Sequence, residues 1–209
     1  MKKITLGCLV LLLLVCGLPV TLWALPSLLP PTVRTPPVDM RDLMVDATPF
    51  PPDWRVVRGP EPQPERSSLD WGDENLSVGL QPTGDRGFAS HYVFKFRNEA
   101  AAMYGHFWIL RQGVLFPSHR ESKIPAEWTY RSPIADDWRF ACVDYGQGKR
   151  MWCAAMARYD EYISVLNTTV SSEYMTLKDL EGILRAIDER MAQCLGKLLP
   201  TAPAGTATP

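Results

Sequence analysis

Trp138-Arg139-Phe140-Ala141-Cys142-Val143-Asp144-Tyr145, followed by Gly146-Gln147-Gly148-Lys149 and Arg150-Met151-Trp152-Cys153-Ala154-Ala155-Met156-Ala157-Arg158, is the stretch from which the fold can be read. Two apolar, β-prone runs flank four residues with two glycines, the composition of a tight hairpin turn. If Gln147-Gly148 are the central residues, Cys142 faces Cys153, Phe140 faces Ala155 and Trp138 faces Ala157. Large residues opposite small ones interdigitate, which favours this register. A two-residue turn would make Cys142/Cys153 a hydrogen-bonded pair, with Cα atoms about 5.5 Å apart. A disulfide spans that separation. Closing so short a loop contributes roughly 2–3 kcal/mol. A disulfide between Cys142 and Cys153 is the expected site feature, two reduced core cysteines being the alternative.

Working outward, Tyr159-Asp160-Glu161 turns the chain into a third antiparallel strand over residues 162–169. Thr176 and Asp179 form a capping-type helix start. Leu177, Leu180, Leu184, Ile187, Met191 and Cys194 follow as one apolar stripe, widened by Ile183 and Leu195, and Gly196 is a natural stop. Residues 201–209 are small and polar and read as a disordered tail.

Towards the N-terminus, Leu76, Val78 and Leu80 alternate with Ser77, Gly79 and Gln81, the period of a half-buried strand. Tyr92, Phe94 and Phe96 share one face of the next strand. Asn98 can cap a helix along which Ala100, Met103, Phe107, Leu110 and Val114 recur at helical spacing, with Gly105 weakening it. Residues 116–137 hold Pro117, Pro125 and Pro133 and read as a long irregular connection. Residues 39–46 read as a short helix, residues 54–57 as a first strand, and Pro60, Pro62 and Pro64 as a loop.

These elements predict an α+β fold. A single antiparallel sheet of about 5–7 strands, ending in a three-strand meander, packs with two or three α-helices over residues 39–198. The order of elements from Trp54 to Leu195 resembles the PsbP-type sandwich of extrinsic thylakoid and bacterial surface proteins. That resemblance is architectural and implies no functional residue.

Ahead of the domain lies an uncharged run, residues 4–25, preceded by Lys2 and Lys3. At about 1.5 Å per residue it is long enough to cross the ~30 Å hydrocarbon core. Residues 1–25 are therefore expected to be an N-terminal transmembrane helix serving as a membrane anchor. The bilayer is then the one partner the sequence names. A cleaved signal or a lipoprotein attachment is the alternative; bulky Leu22 opposes cleavage after Ala24, and Val15 before Cys16 opposes lipidation. Flanking charge places the N-terminus inside and the domain outside, with residues 26–38 as a proline-rich spacer.

Charge excludes one function class. With 22 Lys+Arg against 23 Asp+Glu, the net charge of −1 does not suggest a nucleic-acid-binding face. The six tryptophans outside the run, Trp54, Trp71, Trp108, Trp128, Trp138 and Trp152, are expected to fill the core, with a stacking surface for sugars or peptides as the alternative. Cys194 reads as a buried thiol on the helix stripe rather than an exposed dimerising one. His91, His106 and His119 show no metal-ligand spacing, and no cofactor motif appears. Asn75-Leu76-Ser77 and Asn167-Thr168-Thr169 match the glycosylation sequon. The expected role is a non-enzymatic, membrane-anchored extracytoplasmic module that binds an envelope protein or small ligand. A structural subunit of a membrane complex, or an enzyme using one of the histidines as base, is the alternative.

Overall fold

The computed structural model describes residues 29–63, 71–84, 87–113, 122–144 and 149–199. The apolar run, His119, the centre of the hairpin turn and the C-terminal tail lie outside the described residues. Among the described residues no helix is long and apolar enough to cross a membrane.

Eight elements form an antiparallel six-stranded sheet with two helices, consistent with an α+β fold. They are β1 (Trp54–Glu61), β2 (Glu74–Pro82), β3 (Ala89–Lys95), α1 (Glu99–Gln112), β4 (Asp137–Asp144), β5 (Met151–Tyr159), β6 (Tyr162–Val170) and α2 (Leu177–Leu195). Strand order is β1-β2-β3-β6-β5-β4, which leaves β1 and β4 as the edges. The meander β4-β5-β6 pairs as its composition requires: Cys142 with Cys153, Phe140 with Ala155 and Trp138 with Ala157. β1 extends further than the sequence suggests and runs through Pro60. An edge strand tolerates proline because only one side of its ladder is used.

Each sheet face carries its own core. Phe94, Met156, Ile163 and Val165 pack on one face with Ala102 and Ile109 of α1. Val78, Leu80, Val93 and Leu166 pack on the other with Leu180, Ile183, Ile187 and Met191 of α2. Met40, Leu43, Met44 and Val45 join this second core. They do so from successive turns rather than the short helix expected there; the backbone bonds Asp42→Asp39, Leu43→Met40 and Met44→Arg41 each span three residues.

α2 matches its stripe. Thr176 and Asp179 complete the capping box, and Gly196 ends the helix at φ 68°. α1 is capped by Asn98, whose side chain accepts from the Ala101 amide. Its buried face is Ala102, Gly105, His106 and Ile109, whereas Met103 and Phe107 are 61% and 53% exposed. Two residues of the expected stripe, Met103 and Phe107, therefore face outward, Leu110 packs against the core, and Val114 lies outside the described residues. Small residues face inward because the Phe96 ring occupies the space beside Gly105; a Cβ there would lie 2.2 Å from it. Of the six tryptophans only Trp54 is fully buried, the other five being half-buried.

Residues 29–34 of the proline-rich stretch lie against one end of the sheet. Thr32 N donates to Arg97 O (2.6 Å), and Asn98 Nδ2 donates to the Leu29 and Pro30 carbonyls. Arg34 reaches Asp160 (2.7 Å), Glu161 (2.6 Å) and the Leu195 carbonyl at the end of α2. Hydrogen bonding to Glu161 comes first in holding the Arg34 guanidinium protonated well beyond its ordinary range.

Candidate functional site

The free edge of β4 forms one wall of a groove of about 510 Å³. Residues 122–131 return alongside the strand and form the other wall. Lys123 exchanges both backbone hydrogen bonds with Cys142, at 2.8 and 2.9 Å, which pins the connection to the edge. Trp128 then stacks on Phe140, ring centroids 3.9 Å apart and planes 14° from parallel. Tyr130 meets Trp128 and Trp138 edge-on at 6.2 and 5.7 Å.

The groove combines aromatic faces with positive charge. Lys123, Arg131 and Arg139 line it with Trp128, Tyr130 and Trp138, and its lining holds no carboxylate. Arg139 has Asp137 at 3.5 Å; among the described residues neither Lys123 nor Arg131 has an acidic partner. Trp128 Nε1 is buried with no acceptor. Two other hollows, of about 640 and 690 Å³, have mixed-charge walls: Arg41, Asp42, Glu189 and Arg190 in one, and Asp39, Arg41, Asp73 and Glu74 in the other.

Two features hold the groove in place. Cys142 and Cys153 stand at disulfide distance, 2.05 Å between sulfurs, and tie the edge strand to its neighbour. Their Cα atoms are 4.0 Å apart, closer than a hydrogen-bonded pair allows. Both backbone groups of Cys142 turn outward to Lys123, so the pair is non-hydrogen-bonded, opposite in phase to the two-residue-turn expectation. The second feature is Asp188 on α2, which is 2% exposed. Its carboxylate accepts from Ser132 Oγ (2.8 Å) and from the Tyr130 and Tyr159 hydroxyls, joining the groove wall to α2 and β5. Burial first, then Asp188, raises both phenols well above the ordinary tyrosine range.

Neither described histidine reaches the groove lining. His91 is fully buried under residues 40–45; Val45 N donates to its Nδ1 (3.1 Å), so Nε2 carries the proton and donates to Ser164 Oγ (2.9 Å). Desolvation lowers its pKa to about 3. His106, on the buried face of α1, is lowered to about 4, again chiefly by burial, with Asp137 at 3.5 Å opposing. Cys194 is half-buried beside the Asp42 carbonyl, and desolvation raises its pKa above the ordinary thiol value.

The sequence does not disclose the groove; of its aromatic residues, only Trp128 and Trp138 fall under the stacking-surface alternative for the tryptophans. The signal in the sequence is partial: Trp128, Tyr130, Arg131, Trp138 and Arg139 are aromatics and cations, but Glu127, Asp136 and Asp137 stand among them, and it is the fold that leaves these acids out of the groove lining. Compared with known proteins, the chain matches no protein-family model, and no curated protein matches its sequence.

Proposed function

We propose that this protein is a membrane-anchored extracytoplasmic binding module, with the β4 groove as its binding site and no catalytic step of its own. The groove carries this reading: aromatic faces and three cations, on a wall braced by a cysteine pair and a buried carboxylate. Aromatic and arginine side chains around a pocket are the usual anchors of recognition. The apolar run at residues 4–25 supports the membrane attachment, and the contacts of residues 29–34 support a short tether. From Leu25 to Leu29 the chain spans at most about 14 Å, so the module works close to the bilayer surface.

A photo-crosslinking amino acid at position 131, in the full chain in intact membranes, tests the binding reading. A discrete adduct, lost when Arg139 is also replaced by Glu, is the expected result. Adducts no more specific than those from position 55, exposed on β1 at the opposite edge of the sheet, refute it. A second reading, an assembly subunit of a membrane complex, draws on the exposed Met103 and Phe107 of α1. It requires a crosslink from position 107 instead.

A further inference from the structure

The outer edge of β4 is only half used. Because Cys142 gives both backbone groups to Lys123, its N–H and C=O point away from β5. Backbone direction alternates along an antiparallel strand, and the β4–β5 register is unbroken from Asp137 to Asp144. Phe140 and Trp138 therefore also turn their N–H and C=O outward, along the groove they line. Among the described residues none of these four groups has a hydrogen-bond partner. Phe140 is only 7% exposed, and buried backbone groups are nearly always paired. The edge is thus a ladder that Lys123 begins and nothing in the described chain continues.

We infer that an extended, acidic polypeptide segment completes it, adding to β4 as a further strand. This deepens the binding reading above and rests on it. A guest opposite Phe140 and Trp138 would place alternate side chains on opposite faces of the sheet. One set falls with Trp138, Phe140 and the stacked Trp128 and takes apolar residues. The other falls with Arg139 and Ala141 and takes carboxylates, to which Arg139, and Arg131 elsewhere on the groove wall, are complementary; Lys123, directly opposite Cys142, stands on the first face. Main-chain bonds supply affinity in this mode, and alternate side chains supply specificity.

The test uses the full chain in detergent micelles and four probe peptides: alternating Glu-Val, alternating Lys-Val, and the Glu-Val sequence N-methylated at every second amide in each of the two phases. The Glu-Val peptide should bind and slow hydrogen exchange at the Trp138 and Phe140 amides. N-methylation in the phase that blocks the ladder should abolish binding, and in the other phase should spare it. Arg131→Glu with Arg139→Glu, both on exposed side chains, should weaken the Glu-Val peptide about tenfold and favour Lys-Val. Equal binding of both N-methylated phases would overturn the inference, because charge alone would then suffice. So would tighter binding of a uronate oligosaccharide than of any peptide, or no peptide binding at all. If the membrane crosslink from position 131 is nevertheless specific, the strand-addition inference fails alone; if both fail, the binding reading falls with it.

Discussion

Acidification should unfold this domain in a window set by His91. The side chain is fully buried, accepts from Val45 N and donates to Ser164, so its neutral form is built into the fold. Its pKa is about 3 in the folded domain against an ordinary value of 6.5. Between those values the unfolded chain binds a proton that the folded chain refuses. Stability from this group is therefore complete above pH 6.5 and is lost as pH falls towards 3. Each pH unit in the window costs about 1.4 kcal/mol, so the fall from pH 6.5 to 4 removes about 3 kcal/mol. Urea unfolding followed by tryptophan fluorescence at pH 7, 5.5 and 4 measures it, with His91→Gln as reference. Subtracting the variant cancels carboxylates that titrate in the same range. The variant should be less stable at pH 7, and the gap should close by about 3 kcal/mol at pH 4. A gap that stays constant across the series would show that His91 protonates freely, and would refute the burial argument.

Asp188→Ala should destabilise the domain by about 3–5 kcal/mol, since three buried hydroxyls lose their acceptor, while Tyr159→Phe should cost about 1.5–3 kcal/mol. Chemical denaturation of both variants checks the pair; a cost below that of a typical surface substitution in Asp188→Ala would show that the network carries no stability. Gly105→Ala should lower stability by about 1–3 kcal/mol in spite of its better helix propensity, because its Cβ meets the Phe96 ring. A raised melting temperature would contradict that packing. Arg34→Ala should leave the sheet core intact but accelerate hydrogen exchange at the Thr32 amide, whose protection depends on residues 29–34 staying docked. Unchanged exchange there would mean that the Asn98 contacts alone hold the segment.

Which parts of this architecture were legible follows from how local their causes are. The β4–β5 register was, because glycines mark the turn and large residues face Ala155 and Ala157. α2 was, because its stripe, cap and stop lie within one continuous segment. The inward face of α1 was not: Met103 and Phe107 point outward, while Ala102 and Gly105 yield space to Phe96, an arrangement set by the sheet rather than the helix. The hydrogen-bond phase of Cys142 was also hidden, since the partner that reveals it, Lys123, lies outside the hairpin. Asp188 reads in sequence as a polar interruption of a stripe, and its three hydroxyl partners come from distant positions. Arg34 finds its acids 126 and 127 residues away. The groove depends on these long-range terms, so its residues were visible as types but not as neighbours.

The proposal that an oxidised module stays moored outside the cytosol meets its most direct test in intact-mass measurement of the protein purified from membranes and alkylated before and after reduction. The account predicts an uncleaved chain. Three of its five cysteines should take alkylating reagent without reductant, Cys142 and Cys153 being withheld, and all five should take it after reduction. A chain shortened by its first 24 or 25 residues, or five reactive thiols before any reductant is added, would contradict it.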